Sequence, residues 1–326
     1  MDPELSARGA GGPPGGSAAD REAGLTAAVR RMTHASPHLT AMAGGAGEVD
    51  RLLDGIENVW LDADGVPIHL DLHRAEKPHA AIVFQPGSGA HGRFYFLAAG
   101  LLARHGYHVL AVDRPGHGLS GGPRGDCTID EAIQVADIVI SHARTQWSLP
   151  VVLMGSSLGG LLTIFGLLHG LTPDLAVAHN FIQPGKLVSM RLRSRWIRRR
   201  RTRPYPLVKL VHGFEDLSGD PAIRDYLQRR DDPGAAWELS ARSVASLLGF
   251  TAEAPATAPP SLVLNGQRDK AIPAWATRLF TRLSGLPSIE VEIVPDAGHL
   301  LFHDHLDTTL PIVTTWLDAR LESARR

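Results

Sequence analysis

Short apolar runs alternate with longer amphipathic stretches along most of the chain. Residues 80–84, 107–112 and 151–154 are predominantly apolar and predict buried strands, whereas residues 130–145 repeat apolar side chains at helical spacing. Strands that alternate with helices imply right-handed crossovers and a mainly parallel sheet. The pattern therefore predicts an α/β fold with a mainly parallel central sheet flanked by helices.

Two segments break this rhythm and set the expected domain boundaries. Residues 1–49 begin with a tract rich in Gly, Pro and Ala, which predicts a disordered or weakly ordered N-terminal extension. Within it, residues 21–33 could form a short helix. Residues 181–260 contain no clear buried strand, are rich in Arg early and in acidic residues later, and are expected to form a mostly helical cap insertion. Residues 50–180 and 261–326 then form the core.

The most informative stretch is 155–159, Gly-Ser-Ser-Leu-Gly, which lies between a predicted strand and a predicted helix. Gly-x-Ser-x-Gly in this context is the nucleophile elbow. The turn is too sharp for side chains at Gly155 and Gly159, and it presents the Ser157 hydroxyl above the end of the sheet. The N-terminus of the following helix favours negative charge at the same place. Ser157 is therefore the predicted nucleophile.

A serine hydroxyl needs a general base, and the base needs an orienting acid. Asp269 and His299 each follow a predicted strand, so both are expected at the same end of the sheet as Ser157. The chain order Ser, Asp, His is the one that accompanies this elbow. Asp269 could instead cap the helix that follows it, and Asp296 is a rival for the role of the acid.

Negative charge on the attacked carbonyl oxygen needs hydrogen-bond donors. The N–H of Leu158 is one candidate, because Leu158 follows the nucleophile at the start of a helix. The N–H of Ser88 is the second, because residues 86–89 (Pro-Gly-Ser-Gly) follow the strand that should neighbour the elbow strand. The alternative for this segment is a plain glycine-rich turn.

A metal site is the competing interpretation of the histidines near the C-terminus. His303 and His305 could bind a metal, but the sequence shows no third ligand clustered with them. Both are expected at the start of the final helix instead. The prediction is that no metal and no organic cofactor takes part.

Composition excludes several classes of function. The 326-residue chain is 44% hydrophobic and 21% charged, as in ordinary globular proteins, and its net charge of −1 gives no general attraction to nucleic acid or membrane. No apolar run reaches the length of a transmembrane helix, the N-terminus lacks the apolar core of a signal peptide, and the single Cys127 excludes an internal disulfide. A cytoplasmic location is expected, and the excess of Arg over Lys indicates a bacterial source.

Three segments together resemble the α/β-hydrolase superfamily, specifically its monoglyceride lipase and lysophospholipase-like branch. They are 86–91 (Pro-Gly-Ser-Gly-Ala-His), 113–121 (Asp-Arg-Pro-Gly-His-Gly-Leu-Ser-Gly) and 155–160 (Gly-Ser-Ser-Leu-Gly-Gly), completed by Asp269 and His299. The resemblance covers residues 56–320, is weakest across the expected cap, and implies the α/β-hydrolase fold.

The resemblance also implies a reaction, acyl transfer to water without a cofactor. Ser157 would attack, His299 would take and return the proton, and Asp269 would hold the imidazole. The N–H groups of Ser88 and Leu158 would stabilise the oxyanion.

Two positions depart from the family pattern. The family usually has His-Gly before the oxyanion residue, where this chain has Pro86-Gly87, and it usually has His before the nucleophile, where this chain has Ser156. Both positions flank catalytic residues without performing the chemistry, so activity is still expected, on a substrate that need not be a simple monoglyceride. His117 is expected in a structural loop behind the site.

The expected cap is strongly basic at its start. No Asp or Glu occurs from residue 181 to 214, and eight arginines lie within 191–203. One interpretation is a solvated face that pairs with the acidic stretch 215–232. A second is docking to anionic phospholipid headgroups at a membrane surface, and a third is binding of an acidic substrate or a carrier protein. Nucleic acid is not expected, because a basic run is not a nucleic-acid-binding fold.

The sequence therefore predicts a serine hydrolase that cleaves a lipid-like carboxylic ester of the monoacylglycerol or lysophospholipid type. A thioesterase or acyltransferase in a biosynthetic pathway would use the same residues and stays open. A non-catalytic ligand-binding protein with the same fold is the alternative from a different class.

Overall fold

The computed structural model describes residues 17–199, 204–207 and 216–325 of the chain. Its centre is an eight-stranded sheet, and two further strands of two residues pair with each other. The strands are β1 (Glu57–Ala63), β2 (Val66–His73), β3 (Ala80–Gln85), β4 (Tyr107–Val112), β5 (Val151–Ser156), β6 (Leu175–His179), β7 (Tyr205–Pro206), β8 (Glu238–Leu239), β9 (Ser261–Gly266) and β10 (Ile289–Val294).

Helices lie on both sides of this sheet. They are α1 (Ala18–Ala35), α2 (Pro37–Ala43), α3 (Ala46–Asp54), α4 (Phe96–Arg104), α5 (Ile129–Trp147), α6 (Leu158–Leu168), α7 (Val188–Arg199), α8 (Pro221–Arg229), α9 (Ala241–Gly249), α10 (Ala274–Ser284) and α11 (Leu306–Arg325).

The strand order of the large sheet is β1-β2-β4-β3-β5-β6-β9-β10. β2 is antiparallel to β1 and to β4, and the remaining pairs are parallel. The central strands β3, β4 and β5 are buried along their whole length, because helices cover both faces of a parallel sheet. These features confirm the predicted α/β fold.

The antiparallel edge begins with the hairpin of β1 and β2. Asp64 and Gly65 connect the strands with φ angles of 52° and 82°. Positive φ at both positions matches the right-handed twist of the flanking strands, which is why Asp-Gly favours such turns. Ala63 pairs with Val66 directly beside the turn.

The N-terminal segment differs from the weakly ordered extension expected for residues 1–49. Residues 1–16 lie outside the described part of the chain, but α1, α2 and α3 form from Ala18 onward. A capping box between Ser17 and Asp20 starts α1, and Leu25, Val29 and Met32 are buried on one side of it. These apolar residues recur at helical spacing within a polar, alanine-rich composition, so the tertiary contacts outweigh the composition.

Residues 181–260, the expected cap, contain α7, α8, α9 and the short strands β7 and β8. Helix α7 packs against α9, and α8 packs against α1. We call the residues 181–260 the cap segment below. Three of its arginines, Arg200, Arg201 and Arg203, lie outside the described residues.

No helix in the described ranges combines the length and the apolar character that a membrane span requires.

Candidate active site

The turn between β5 and α6 holds Ser157 in a strained backbone conformation. Its φ and ψ are 54° and −119°, a region that costs a non-glycine residue about 1–3 kcal/mol. The neighbouring backbone explains the glycines on either side. A Cβ on Gly155 would lie 2.2 Å from the carbonyl oxygen of Gly159, and one on Gly159 would lie 1.8 Å from that of Gln85. Only glycine therefore fits at either position.

The loops that follow β9 and β10 are tied to each other. Gln267 N–H donates to the Val294 carbonyl at 3.0 Å, and Arg268 N–H donates to the Ala297 carbonyl at 2.8 Å. A Cβ on Gly266 would lie 2.2 Å from the Gly298 oxygen, so the two loops touch at backbone distance. This contact brings the residues after the two strands together.

Ser157, His299 and Asp269 form one chain of hydrogen bonds. The Ser157 Oγ lies 3.0 Å from His299 Nε2, and His299 Nδ1 lies 2.9 Å from Asp269 Oδ2. His299 and Asp269 are buried. With the proton placed on Nδ1, the imidazole donates to the carboxylate, and Nε2 is free to accept the serine proton, which is the arrangement acyl transfer requires.

The Asp269 carboxylate is held in its ionised form. Its Oδ1 accepts hydrogen bonds from the N–H groups of Ala271 and Ile272 at 2.8 and 2.9 Å. Burial alone would raise the pKa of Asp269, but the hydrogen bond and the charge of His299 outweigh burial and lower it. Asp269 thus shapes the loop before α10, whose N-cap residue is Pro273.

The rival residues near the C-terminus have other partners. Asp296 is exposed and pairs with Arg268 at 2.5 Å. His303 Nε2 faces the Phe94 carbonyl oxygen at 3.1 Å, whereas His305 Nε2 accepts the Gly298 N–H at 3.0 Å. The imidazoles of His303 and His305 therefore contact two different loops. Helix α11 begins after both of them, at Leu306.

The loop 113–121 is organised by the Asp113 carboxylate. It accepts hydrogen bonds from Gly92 N–H at 2.7 Å and from Leu119 N–H at 2.8 Å, and it lies 2.8 Å from His69 Nδ1. Burial would raise the pKa of Asp113, but the contact with His69 lowers it to about 2. His117 Nδ1 faces the Pro115 carbonyl oxygen at 2.9 Å, and burial lowers the pKa of His117 to about 3. These contacts agree with a structural role for the loop.

Two buried side chains orient the loop that carries Ser88. The guanidinium of Arg114 donates to the carbonyl oxygens of Pro86 and Gly87 at 2.6 and 2.8 Å, and the Tyr95 hydroxyl accepts the Gly87 N–H at 3.2 Å. In a trans peptide the C=O and the next N–H point in opposite directions. Holding the Gly87 carbonyl against Arg114 therefore aims the Ser88 N–H the other way.

A second buried histidine lies against the nucleophile. His179 pairs in register with Ser156, and its Nδ1 lies 3.3 Å from the Ser157 backbone nitrogen and 3.2 Å from the Ser156 hydroxyl. Burial lowers the pKa of His179 to about 3, so the ring is neutral and Nδ1 accepts. The imidazole of His179 thus lies beside Ser156. In the family pattern, a histidine occupies the position of Ser156 on the elbow strand itself.

The Asn180 amide completes this arrangement. The amide nitrogen lies 3.3 Å from His179 Nε2, and the amide oxygen Oδ1 is buried without a partner. If Nδ1 of His179 accepts, Nε2 carries the proton and needs an acceptor. Turning the Asn180 amide over places its oxygen there, which satisfies both groups.

Within the described ranges, one group of three side chains offers ligand atoms that a metal ion could use. It consists of His179, Asp269 and His299, whose donor atoms lie within 4.8 Å of one another. The Asp269 and His299 atoms already form the hydrogen-bond chain to Ser157, and His179 holds the elbow backbone. The donor set therefore fits acyl transfer by these residues themselves.

An apolar pocket opens at Ser157 and is closed by the cap segment. Its cavity volume is about 60 Å³, which two water molecules would occupy in the liquid. The predicted oxyanion residue Ser88 lines it, while the Leu158 N–H belongs to the first turn of α6, where backbone donors lack helical partners. Its apolar walls come from the core and from the cap segment: Ala90, Phe94, Tyr95, Leu300, Leu207, Leu217, Tyr226, Leu227, Ala235 and Trp237.

Sequence reasoning missed Tyr95, Arg114 and His179. His179 closes a predicted strand beside the elbow strand, so its place in the chain was a usable signal. Arg114 lies inside the 113–121 motif, but the motif does not indicate that its side chain reaches the loop that carries Ser88. Nothing in the sequence pattern distinguishes Tyr95 from an ordinary apolar residue of its helix.

Comparison with known proteins identifies the family. The family model described as serine aminopeptidase, S33, matches residues 76–305. A monoacylglycerol lipase of Mycolicibacterium smegmatis is 24% identical over 81% of this chain and 98% of its own length. The phospholipase YtpA of Bacillus subtilis is 40% identical, but over only 28% of this chain and 35% of its own length.

Solved structures show the same fold. A soluble variant of monoglyceride lipase from Saccharomyces cerevisiae aligns with a TM-score of 0.67 at 15% identity, over 81% of this chain and 96% of its own. A monoacylglycerol lipase from Paleococcus ferrophilus aligns with a TM-score of 0.61 at 22% identity, over 77% of this chain and 99% of its own. The chain therefore belongs to the serine aminopeptidase S33 family and is an α/β-hydrolase of the esterase and lipase type.

Proposed function

We propose that this protein hydrolyses lipid-like carboxylic esters through an acyl-enzyme on Ser157. The observation that carries the proposal is the hydrogen-bond chain from Ser157 through His299 to Asp269 at the end of an apolar pocket. Similarity to a monoacylglycerol lipase over 98% of that protein's length supports a monoacylglycerol or lysophospholipid type of substrate.

The proposed reaction has two half-reactions. Ser157 Oγ attacks the carbonyl carbon while its proton moves to His299 Nε2, and the N–H groups of Ser88 and Leu158 receive the oxyanion. The C–O bond to the leaving group breaks as His299 returns the proton to that oxygen, which releases the alcohol. Water then attacks the acyl-enzyme with His299 as base, and the acid leaves with Ser157 restored.

The pocket bears on the length of the acyl chain. Its cavity volume of about 60 Å³ is small beside the roughly 300–1,000 Å³ of usual ligand pockets. Leu217, Leu227 and Trp237 of the cap segment form part of its wall, so a long chain requires these residues to move apart. We therefore expect short esters to react without rearrangement and long esters to depend on the cap segment.

Hydrolysis of p-nitrophenyl esters across acyl lengths tests the proposal, with the wild type measured beside Ser157→Ala. We expect turnover that Ser157→Ala abolishes, and covalent labelling of Ser157 by a fluorophosphonate. Labelling without ester turnover would move the assignment to a specialised acyl donor. If neither turnover nor labelling is observed, the enzyme proposal is overturned in favour of a ligand-binding protein.

A second candidate is action on an acyl group attached to a carrier, as a thioesterase or an acyltransferase. A pimeloyl-[acyl-carrier protein] methyl ester esterase of Xanthomonas oryzae is 27% identical over 70% of this chain and 90% of its own length. The same three residues would perform either reaction. Comparing hydrolysis of an oxygen ester with that of the matched thioester separates the two.

The partner of the basic cap segment belongs to this proposal as well. Helix α7 presents exposed arginines that suit an anionic partner, and a lipid surface and an acidic carrier protein are both of that kind. A protein confined to the cytoplasm would then meet its substrate at the membrane face or on the carrier.

A further inference from the structure

The exposed apolar side chains of this protein are concentrated on two helices. Eight large apolar residues are exposed in the described ranges, and all except Trp60 lie on α7, just before α7, or on α10. Contiguous exposed apolar area of this kind marks an interaction site more often than it occurs by chance. The seven residues are Leu187, Val188, Leu192, Trp196, Trp275, Leu279 and Leu283.

Helix α10 has its large apolar residues on the outside. Trp275, Leu279 and Leu283 recur every four residues and are 68%, 40% and 52% exposed, so they form one stripe along the helix. The inner side holds the half-buried Phe280 and otherwise small or polar residues. Thr277 Oγ1 there accepts the Phe181 N–H and donates to Asn265 Oδ1. Packing within the fold does not account for this outward stripe.

Helix α7 repeats the arrangement. Val188, Leu192 and Trp196 recur every four residues and are 61%, 60% and 50% exposed. The opposite side of the helix packs on α9, where Ser194 and Ile197 are buried and the Ser194 hydroxyl donates to the Ala245 carbonyl at 2.6 Å. The apolar stripe therefore faces away from the protein.

One end of each helix lies against the segment 250–254. A Cβ on Gly185, just before α7, would lie 2.0 Å from the Phe250 oxygen, and one on Gly285, just after α10, would lie 3.5 Å from the Ala254 Cβ. The four-residue step from Phe250 to Ala254 spans at most about 14 Å. The start of α7 and the end of α10 therefore lie near each other, on either side of this segment.

The charged residues on both helices are all basic, although the exposed Glu253 lies in the segment between them. Arg278 and Arg282 flank the stripe of α10, and residues 271–289 contain no Asp or Glu. Five exposed arginines flank the stripe of α7, within residues 181–214 that contain no acid either. A second copy of the chain would bring two such arginine clusters together, which like-charge repulsion opposes. The surface is complementary to a partner that has an apolar interior and an anionic outer layer.

We propose that α7 and α10 together dock this protein on an anionic phospholipid bilayer. Trp and Leu side chains would enter the interface, and arginines would extend to the phosphates, as in interfacial amphipathic helices. Each arginine near such a surface adds to the electrostatic attraction by the anionic headgroups. The proposal builds on the proposed lipid-ester function, but docking itself needs no turnover.

Vesicle binding of the Ser157→Ala protein tests docking separately from catalysis, since this variant lacks the nucleophile. Co-sedimentation is measured with phosphatidylcholine vesicles that contain or lack phosphatidylglycerol, at low and high salt. We expect binding that requires phosphatidylglycerol and weakens with salt. Binding that is equal on neutral vesicles, or that salt leaves unchanged, would overturn the proposal.

Substitutions locate the surface. Trp275→Ser, Leu279→Ser and Leu283→Ser combined should weaken vesicle binding at least about tenfold, because each substitution removes an apolar side chain that the bilayer would bury. Arg278→Gln with Arg282→Gln should reduce the salt dependence. The matched control is Trp60→Ser, an exposed tryptophan on β1, which should bind like the parent.

Two further results would contradict docking through α10. One is equal vesicle binding by the α10 triple variant and the Trp60→Ser control, with circular dichroism showing that both are folded. The other is absence of binding to any vesicle by the parent while an acidic acyl carrier protein is captured. That second result would assign the basic surface to a carrier protein instead.

Discussion

Helices α6 and α7 have opposite relations to their surroundings. Every residue of α6 after Leu158 is buried, whereas in α7 the buried residues are Ser194 and Ile197. Neighbouring backbone dictates the residues of α6, as the 1.8 Å approach of a Gly159 Cβ to Gln85 shows. Solvent and external partners select the residues of α7. The contrast separates a part of the molecule that the fold specifies from a part that only an interaction explains.

Adding a methyl group at the elbow should have the largest effect on stability of the changes that test this contrast. Gly159→Ala places a Cβ against the Gln85 and Pro86 carbonyl oxygens, so we expect destabilisation by more than about 4 kcal/mol. Urea unfolding measures the change. Gly47→Ala in α3 is the control, because no atom lies within 4 Å of its Cβ, and it should stabilise the protein by about 0.5–1 kcal/mol. Equal stability of Gly159→Ala and the wild type would mean that the α6 contacts are not restrictive.

Replacing the acid tests the chemistry at the same end of the sheet. Asp269→Asn keeps the size of the side chain, but its amide no longer stabilises the Nδ1–H tautomer of His299 and the imidazolium. We expect kcat for a short p-nitrophenyl ester to fall on the order of 10³–10⁴-fold with the protein folded. Asp296→Asn is the matched control, since that carboxylate is exposed beside Arg268. A large loss in the control and a small one in Asp269→Asn would make Asp296 the acid.

The orienting role of Arg114 predicts a smaller effect. Arg114→Lys keeps the charge but loses the fork that reaches the Pro86 and Gly87 carbonyls together. Misplacement of the Ser88 N–H should lower kcat by up to about 10²-fold with KM nearly unchanged. Arg124→Lys is the control, because Arg124 also donates to backbone carbonyls but not in this loop. Equal losses in both variants would reduce Arg114 to a general structural role.

The sequence predicts the parts of the molecule that the fold specifies better than the parts that face outward. The elbow, the strands and the order Ser157, Asp269, His299 are readable, because backbone sterics and strand ends leave few residue choices there. The hydrogen bonds of Asp269 and His299 have the geometry that this order predicts. The sequence allows a short helix at residues 21–33, and α1 lies there. The packing of the N-terminal helices is not predicted, since three apolar residues in α1 decide it within a composition typical of loops. The outward stripe of α10 also escaped, because its spacing is equally that of a helix with a buried apolar face.

The pH dependence of stability also distinguishes the buried core from helix α7, because α7 contains no residue that titrates between pH 3 and 7. The core contains several neutral buried histidines: burial lowers the pKa of His117 and His179 to about 3, and of His73 and His303 to about 4. The unfolded chain takes up protons near pH 6.5 and the native chain does not. The contribution of these four histidines to stability is therefore present in full above pH 6.5 and is lost as pH falls toward 3.

His179→Gln should flatten this loss by about 1.4 kcal/mol per pH unit within the window below pH 6.5. The comparison uses urea unfolding of the variant and the wild type at matched pH values. Arg195→Gln on α7 should leave the slope unchanged and alter the free energy of unfolding by less than about 0.5 kcal/mol. A slope that Arg195→Gln flattens and His179→Gln does not would place the titrating interactions on the surface, and the contrast between the two helices would fail.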